Sequence, residues 1–157
     1  MADFVFNVAK GKINEYVARV VANDPANSAL VIVGINTSEA DGTLQDLDTL
    51  AAVLANGNTA ELANTGYART VYTDSDLSAP SPDDSNDRQE ADMPDIDWGA
   101  ITADDTDFTD ILVCYDPDTT GGTDSAIVPL VCLDFEVTVD GSSITTQIGA
   151  NGWFRAS

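Results

Sequence analysis

Two helical periods open the chain. Between Lys10 and Ala22, Ile13, Tyr16, Val17, Val20 and Val21 recur at i, i+3, i+4, i+7 and i+8. That spacing gathers apolar side chains on one face of a helix. Asn23-Asp24-Pro25 ends the pattern, because proline cannot continue a helix. Between Thr43 and Ala55, Leu44, Leu47, Leu50, Ala51 and Leu54 share a second apolar face. Thr43 with Asp46 three residues on has the form of a helix cap, and Asn56-Gly57 that of a helix stop. Ahead of the first helix, Phe4-Val5-Phe6 predicts a short strand or arm.

Elsewhere the period is that of strands. Ala29 to Ile35 is a continuous apolar run rich in β-branched residues, which predicts a buried strand. Arg69 to Thr73 reads as a strand, and residues 80–87 (Pro-Ser-Pro-Asp-Asp-Ser-Asn-Asp) as a loop by every turn rule. Ile96, Trp98 and Ala100 alternate with Asp95, Asp97 and Gly99, the mark of a half-exposed strand. Thr109 to Tyr115 and Ala126 to Val137 read as central strands, with a bulge or an edge expected at Pro129. Asp140-Gly141 within 137–145 is a hairpin signal. Trp153-Phe154-Arg155 predicts a last short strand. No repeat or boundary divides the chain. The expected architecture is a single α+β domain, 1–157, in which two N-terminal helices pack on a mainly antiparallel sheet, a sandwich or partial barrel.

Composition narrows the chemistry. No apolar run approaches the ~18 residues of a membrane span. The N-terminal Met1-Ala2-Asp3-Phe4 lacks the features of a signal peptide, so the expectation is a protein made and kept in the cytoplasm before any assembly step. Twenty-seven acids face six bases, a formal net charge of −21 at pH 7. Phosphate repels such a surface, which excludes nucleic acid and anionic membranes as partners. Solubility with suppressed self-association is one reading of this charge, and cation binding is the sharper one. The chain has no histidine, which removes histidine-based triads, general bases and nearly all zinc sites.

Three constellations remain. Asp116, Asp118 and Asp124 punctuate the Gly-rich segment 116–124, a candidate calcium loop because calcium takes six to eight oxygens from flexible loops. The distal glutamate of an EF-hand is missing and Pro117 is out of place, so a solvated turn is the alternative. Asp95 and Asp97 beside Trp98 share a strand face, but that spacing says nothing about flanking a glycosidic bond. With no nucleophile–base pair, the chain is expected to be non-enzymatic and to use no cofactor beyond a possible Ca2+. Cys114 and Cys132 lie nine residues either side of Thr123. If their strands pair around that loop, the two thiols stand opposite each other, reduced and buried as small core residues.

Seven segments resemble a family of tailed-bacteriophage virion structural proteins of about this length. They are 7–12, 23–30, 48–52, 64–69, 84–88, 114–124 and 154–157, of which Tyr115-Asp116-Pro117-Asp118-Thr119-Thr120-Gly121-Gly122 is the most specific. The chain departs from the family pattern around Gln89-Glu90-Ala91, where it is more acidic. The resemblance implies a non-enzymatic capsid decoration or cement protein. Such a protein is assembled in the host cytoplasm, present in multiple copies or as a homo-oligomer on the virion capsid, and bound to the major capsid protein. The alternatives are a receptor- or carbohydrate-binding module on a tail or head fibre, or a head–tail connector component. On the wheel of the first helix, Lys12 and Arg19 fall about 20° apart, a basic strip beside Tyr16. On a protein this acidic, the strip, helped by an exposed arm at Phe4 and Phe6 or by Trp153 and Phe154, is the expected capsid-binding face. The acidic loop at 80–88 is then expected to point to solvent. The other reading of the strip is a solvated helix face whose bases pair with nearby acids.

Overall fold

The computed structural model describes residues 2–149 and 152–156. Its elements begin with β1 (Phe4–Val5), a 3-10 turn at Asn7–Ala9, α1 (Ile13–Ala22) and β2 (Ala29–Thr37). Next come α2 (Asp41–Gln45), α3 (Leu50–Leu54), β3 (Thr59–Glu61), β4 (Thr70–Tyr72), β5 (Ser81–Asp83) and β6 (Arg88–Ala91). The last are β7 (Ile96–Ala100), β8 (Phe108–Asp116), β9 (Val128–Val137), β10 (Ser143–Thr146) and β11 (Phe154–Ala156). Every strand pair is antiparallel, so the architecture is mainly antiparallel β with few helices.

The main sheet runs β1-β9-β8-β2-β3, with β4 also beside β2. A ribbon β10-β7 and a three-stranded sheet β11-β6-β5 flank it. β2 is buried along its length except at Asn36, because its run of apolar residues is covered on both faces. Phe108 and Tyr115 stand seven residues apart on β8, hence on opposite faces. Phe108 meets Trp98 of β7, Tyr67 and Phe135, with ring centroids 5.2, 6.3 and 5.5 Å apart. Tyr115 meets Tyr16 of α1, with centroids at 4.7 Å. The buried apolar residues form one continuous cluster.

Four expectations are corrected. The segment expected as one helix, 43–55, is broken at 46–49. Thr49 caps α3 by accepting the Ala52 N–H at 3.2 Å. The Leu50 and Ala51 amides donate to Ile127 O and Asp124 O, at 2.9 and 3.0 Å, so they cannot serve a continuous helix. The segment 80–87 is no plain loop. It supplies β5 and the turn into β6, a hairpin whose tip is tied by Asn86 and Ser85 to the Asp83 carboxylate.

Asp140-Gly141 makes no hairpin: β9 pairs with β8 and β1, while β10 pairs with β7. Gly141 instead donates to Ile101 O at 3.0 Å and turns the chain from one sheet to the other. Finally, the cysteines are not opposed. Tyr115 pairs with Val128, so the connection is centred near residues 121–122 rather than on Thr123, and even after a register shift beside Pro129 Cys132 stands opposite Leu112 and Cys114 opposite Pro129. Both thiols are free and buried.

Candidate functional site

The predicted strip runs from the residue before α1 to the helix's last turn. Lys12 immediately precedes the helix and is exposed, Tyr16 is half-buried on Tyr115, and Arg19 is exposed. Arg19 Nη2 lies 2.7 Å from Glu15 Oε1, and that hydrogen bond and charge raise the Arg19 pKa. Arg19 therefore behaves as the solvated-face reading expected. Phe6 corrects the expected exposed arm. It is fully buried, its N–H donates to Leu130 O at 3.0 Å, and its ring packs on half-buried Phe4. The arm is an edge strand of the main sheet, and Phe6 has no surface to offer a partner. At the other terminus Trp153 and Phe154 are half-buried, with β11 paired to β6.

Folding joins α1 to the small sheet, though through Asn14, which on the helical wheel lies about 140–160° from Lys12 and Arg19. Asn14 on α1 donates to Gln89 Oε1 on β6 at 2.6 Å, and β6 carries β11 on one side and β5 on the other. Of the six bases, Lys10, Lys12, Arg19, Arg88 and Arg155 belong to α1, its approach, or this small sheet, which leaves only Arg69 elsewhere. Arg88 pairs with Asp83 and Glu90 at 3.2 and 2.7 Å, and Arg155 reaches Glu90 at 3.7 Å. The α1–β6–β11 side is thus locally near charge balance on a chain of net charge −21. The acidic hairpin tip at 84–87 is exposed, as expected of that segment, but it belongs to the same small sheet as Phe154.

Next to β11 lies a cleft of about 610 Å³, within the roughly 300–1,000 Å³ of specific ligand pockets. Residues from both ends of the chain line it: Asp3 and Trp153 contribute, with Leu133, Asp134, Phe135, Gln147 and Ile148. The Asp134 N–H donates to Asp3 Oδ1 at 2.8 Å. Sequence reasoning missed Asp3, Asp134 and Gln147, because contacts over such separations leave no local pattern. One signal was available: after Cys132 the apolar run gives way to the alternation Leu133, Asp134, Phe135, Glu136, which marks a strand leaving the core.

The candidate calcium residues are not assembled. Asp124 is held by Arg69, whose Nη1 and Nη2 reach its two oxygens at 2.7 and 3.0 Å. That guanidinium lowers the Asp124 pKa. Asp116 Oδ1 accepts the Asp118 N–H, and Asp118 Oδ1 accepts the Thr120 N–H, both at 3.0 Å. Each carboxylate serves its own turn, and among the described residues no group of three or more acids or cysteines is placed to hold a metal. Asp95 and Asp97 likewise cap backbone amides, those of Ile148 and Gly99 at 2.7 and 2.9 Å. Trp98, next to Asp97, is buried, with its indole N–H on Thr146 Oγ1 at 3.0 Å. Comparison with family models, with curated proteins and with solved structures finds no match to this chain.

Proposed function

We propose that this chain is a non-enzymatic structural protein of a tailed-phage virion, which decorates the capsid by binding the major capsid protein. The observation that carries the reading is that five of the six bases lie in α1, its approach and the small sheet bonded to it, elements that also bring half-buried Tyr16, Trp153 and Phe154. A strongly acidic protein docks on another acidic surface only through a face that does not repel it. Complementary charge there sets specificity and association rate, while apolar contacts supply most of the affinity. The same reading takes the β7–β10 ribbon over Phe108 as the second layer of an open sandwich, a rigid body suited to carrying such a face. Many copies per particle are expected of this role, with the docking surface repeated on every shell subunit.

The test replaces Lys12 and Arg19 together by Glu. Both side chains are exposed, so the double variant should keep its circular dichroism, with only a small fall in melting temperature from loss of the Arg19–Glu15 pair, while its occupancy on undecorated capsids falls. Wild-type occupancy at moderate salt would sink the proposal. A glycan-binding module on a fibre is the second reading, favoured by Trp153, Gln147 and Asp134 lining one cleft. It predicts a few dozen copies per virion, where decoration predicts hundreds.

A further inference from the structure

The cleft lies on a stretch of β9 that has lost its neighbour. β1 covers β9 only at Val131 and Cys132, with Phe6 adding a bond to Leu130 O. β9 continues to Val137, and β8 pairs with it on the inner side as far as Phe108. Asp3 Oδ1 takes the Asp134 N–H at 2.8 Å, but among the described residues no strand lies against the outer side of 133–137. Leu133, Asp134 and Phe135 from this edge line the cleft together with residues 145–149 and Trp153. An open sheet edge beside a groove is the geometry in which an extended peptide adds as a further strand. Its main chain then supplies hydrogen bonds, and the groove reads alternate side chains.

The charges choose the occupant. Asp3 and Asp134 line the cleft, Glu136 is exposed on the same edge, and among the described residues no Lys or Arg lines it. A second copy of this chain would bring the same acids to the same edge, and like charges facing each other across strands are destabilising. An extended segment alternating basic and apolar residues meets both features: its bases face the acids, and its apolar side chains enter the groove by Ile148 and Trp153.

We propose that the open edge of β9 at residues 133–137, with its cleft, binds an extended cationic segment of a partner protein by strand addition. The proposal does not depend on the partner being a capsid subunit.

The test uses the full chain and two short labelled peptides, one alternating valine and lysine, the other valine and glutamate, monitored by fluorescence anisotropy at low salt. The lysine peptide should bind and the glutamate peptide should not. Binding should slow hydrogen exchange of the 133–137 amides, a change that loose electrostatic association does not produce. Asp3→Lys with Glu136→Lys should weaken the lysine peptide by about tenfold. Because Asp3 also caps the Asp134 amide, Glu136→Lys alone, at an exposed position, is the second variant and should weaken it in the same direction. Equal binding of both peptides, unchanged amide exchange, indifference to Glu136→Lys, or binding of neutral oligosaccharides but not of the lysine peptide would each overturn the proposal. Peptide binding by a protein that does not attach to shells would leave this inference standing while the decoration role fell. Shell attachment without peptide binding would do the reverse.

Discussion

Arg69 grips Asp124 with two parallel N–H···O contacts at 2.7 and 3.0 Å, and with its remaining donors it grips Glu61 at 2.6 and 2.8 Å. One side chain thereby ties β3 to the loop between β8 and β9, with Arg69 and Asp124 themselves 55 residues apart in sequence. Fork-to-carboxylate pairs are among the strongest hydrogen bonds in proteins. This one is partly solvated, with Arg69 27% exposed, and that reduces its worth. Arg69→Ala also leaves two acids facing each other, so it should cost about 1–3 kcal/mol in urea unfolding. Because the Ala51 amide bonds to Asp124 O, exchange at Ala51 should quicken in the variant. An unchanged midpoint would remove the clamp from any account of stability.

Gly34 of β2 lies against the Phe108 ring, so that a Cβ in its place would come within 2.3 Å of the ring's Cε1. Phe108 has nowhere to go, being fully buried among Tyr67, Trp98 and Phe135. Gly34→Ala should therefore destabilise by about 1–3 kcal/mol, the usual cost of overpacking a filled core. Near-wild-type thermal stability would mean that the aromatic layer shifts more easily than its packing implies.

Thr49, not Thr43, caps a helix. Thr49→Ala should lower stability by ~1 kcal/mol, the typical worth of an N-cap hydroxyl, while Thr43→Ala, in the middle of α2, should have a smaller effect. Equal melting temperatures for the two variants would count against this assignment.

That pair of threonines shows where the sequence was readable and where it was not. The apolar faces of α1 and of β2, β8 and β9 were legible because core burial imposes its period directly on the residues. Leu44 and Leu50 were also legible as core residues, and both are fully buried. The helix between them is broken by a pair of amide bonds to Asp124 and Ile127, and no local rule contains those partners. The Asp140-Gly141 signal failed similarly: it correctly marked a turn, but β10 beyond that turn pairs with β7 rather than β9. At the site, the basic strip was visible as spacing, and Asn23 at the end of α1 as a stop. The cleft was not, since Asp3 and Trp153 contribute to it from the two ends of the chain.

Cys114 and Cys132 are fully buried, and burial in apolar surroundings pushes both thiol pKa values well up. Only the thiolate is a good nucleophile. Labelling by a maleimide in native buffer should therefore be slow and limited by opening of the structure, becoming fast in denaturant. Rapid labelling of either thiol in the native protein would show that the sheet opens far more readily than its packing implies.

Asp110 is an acid in the middle of the main sheet. It is 1% exposed, its Oδ1 has the Cys132 thiol at 3.7 Å, and its Oδ2 is without a hydrogen-bond partner. Loss of hydration raises its pKa, and the Asp134 carboxylate across the ladder adds to the rise. A carboxyl whose pKa is higher in the folded than in the unfolded chain binds its proton more tightly when folded. Its effect on stability is nil below the unfolded value, ~3.9. It becomes increasingly unfavourable as pH climbs from there through the folded value, and levels off above that. Asp110→Asn, which stays neutral at every pH, removes this cost. The difference in stability between variant and wild type should therefore grow in the variant's favour as pH rises from about 3 towards neutrality. Taking the difference cancels the titration of the other acids, including Asp83 and Asp124, whose pKa values are lowered and which act in the opposite sense. Chemical unfolding of both proteins across that range measures it. A difference independent of pH would show that Asp110 is as well solvated in the folded sheet as in the unfolded chain.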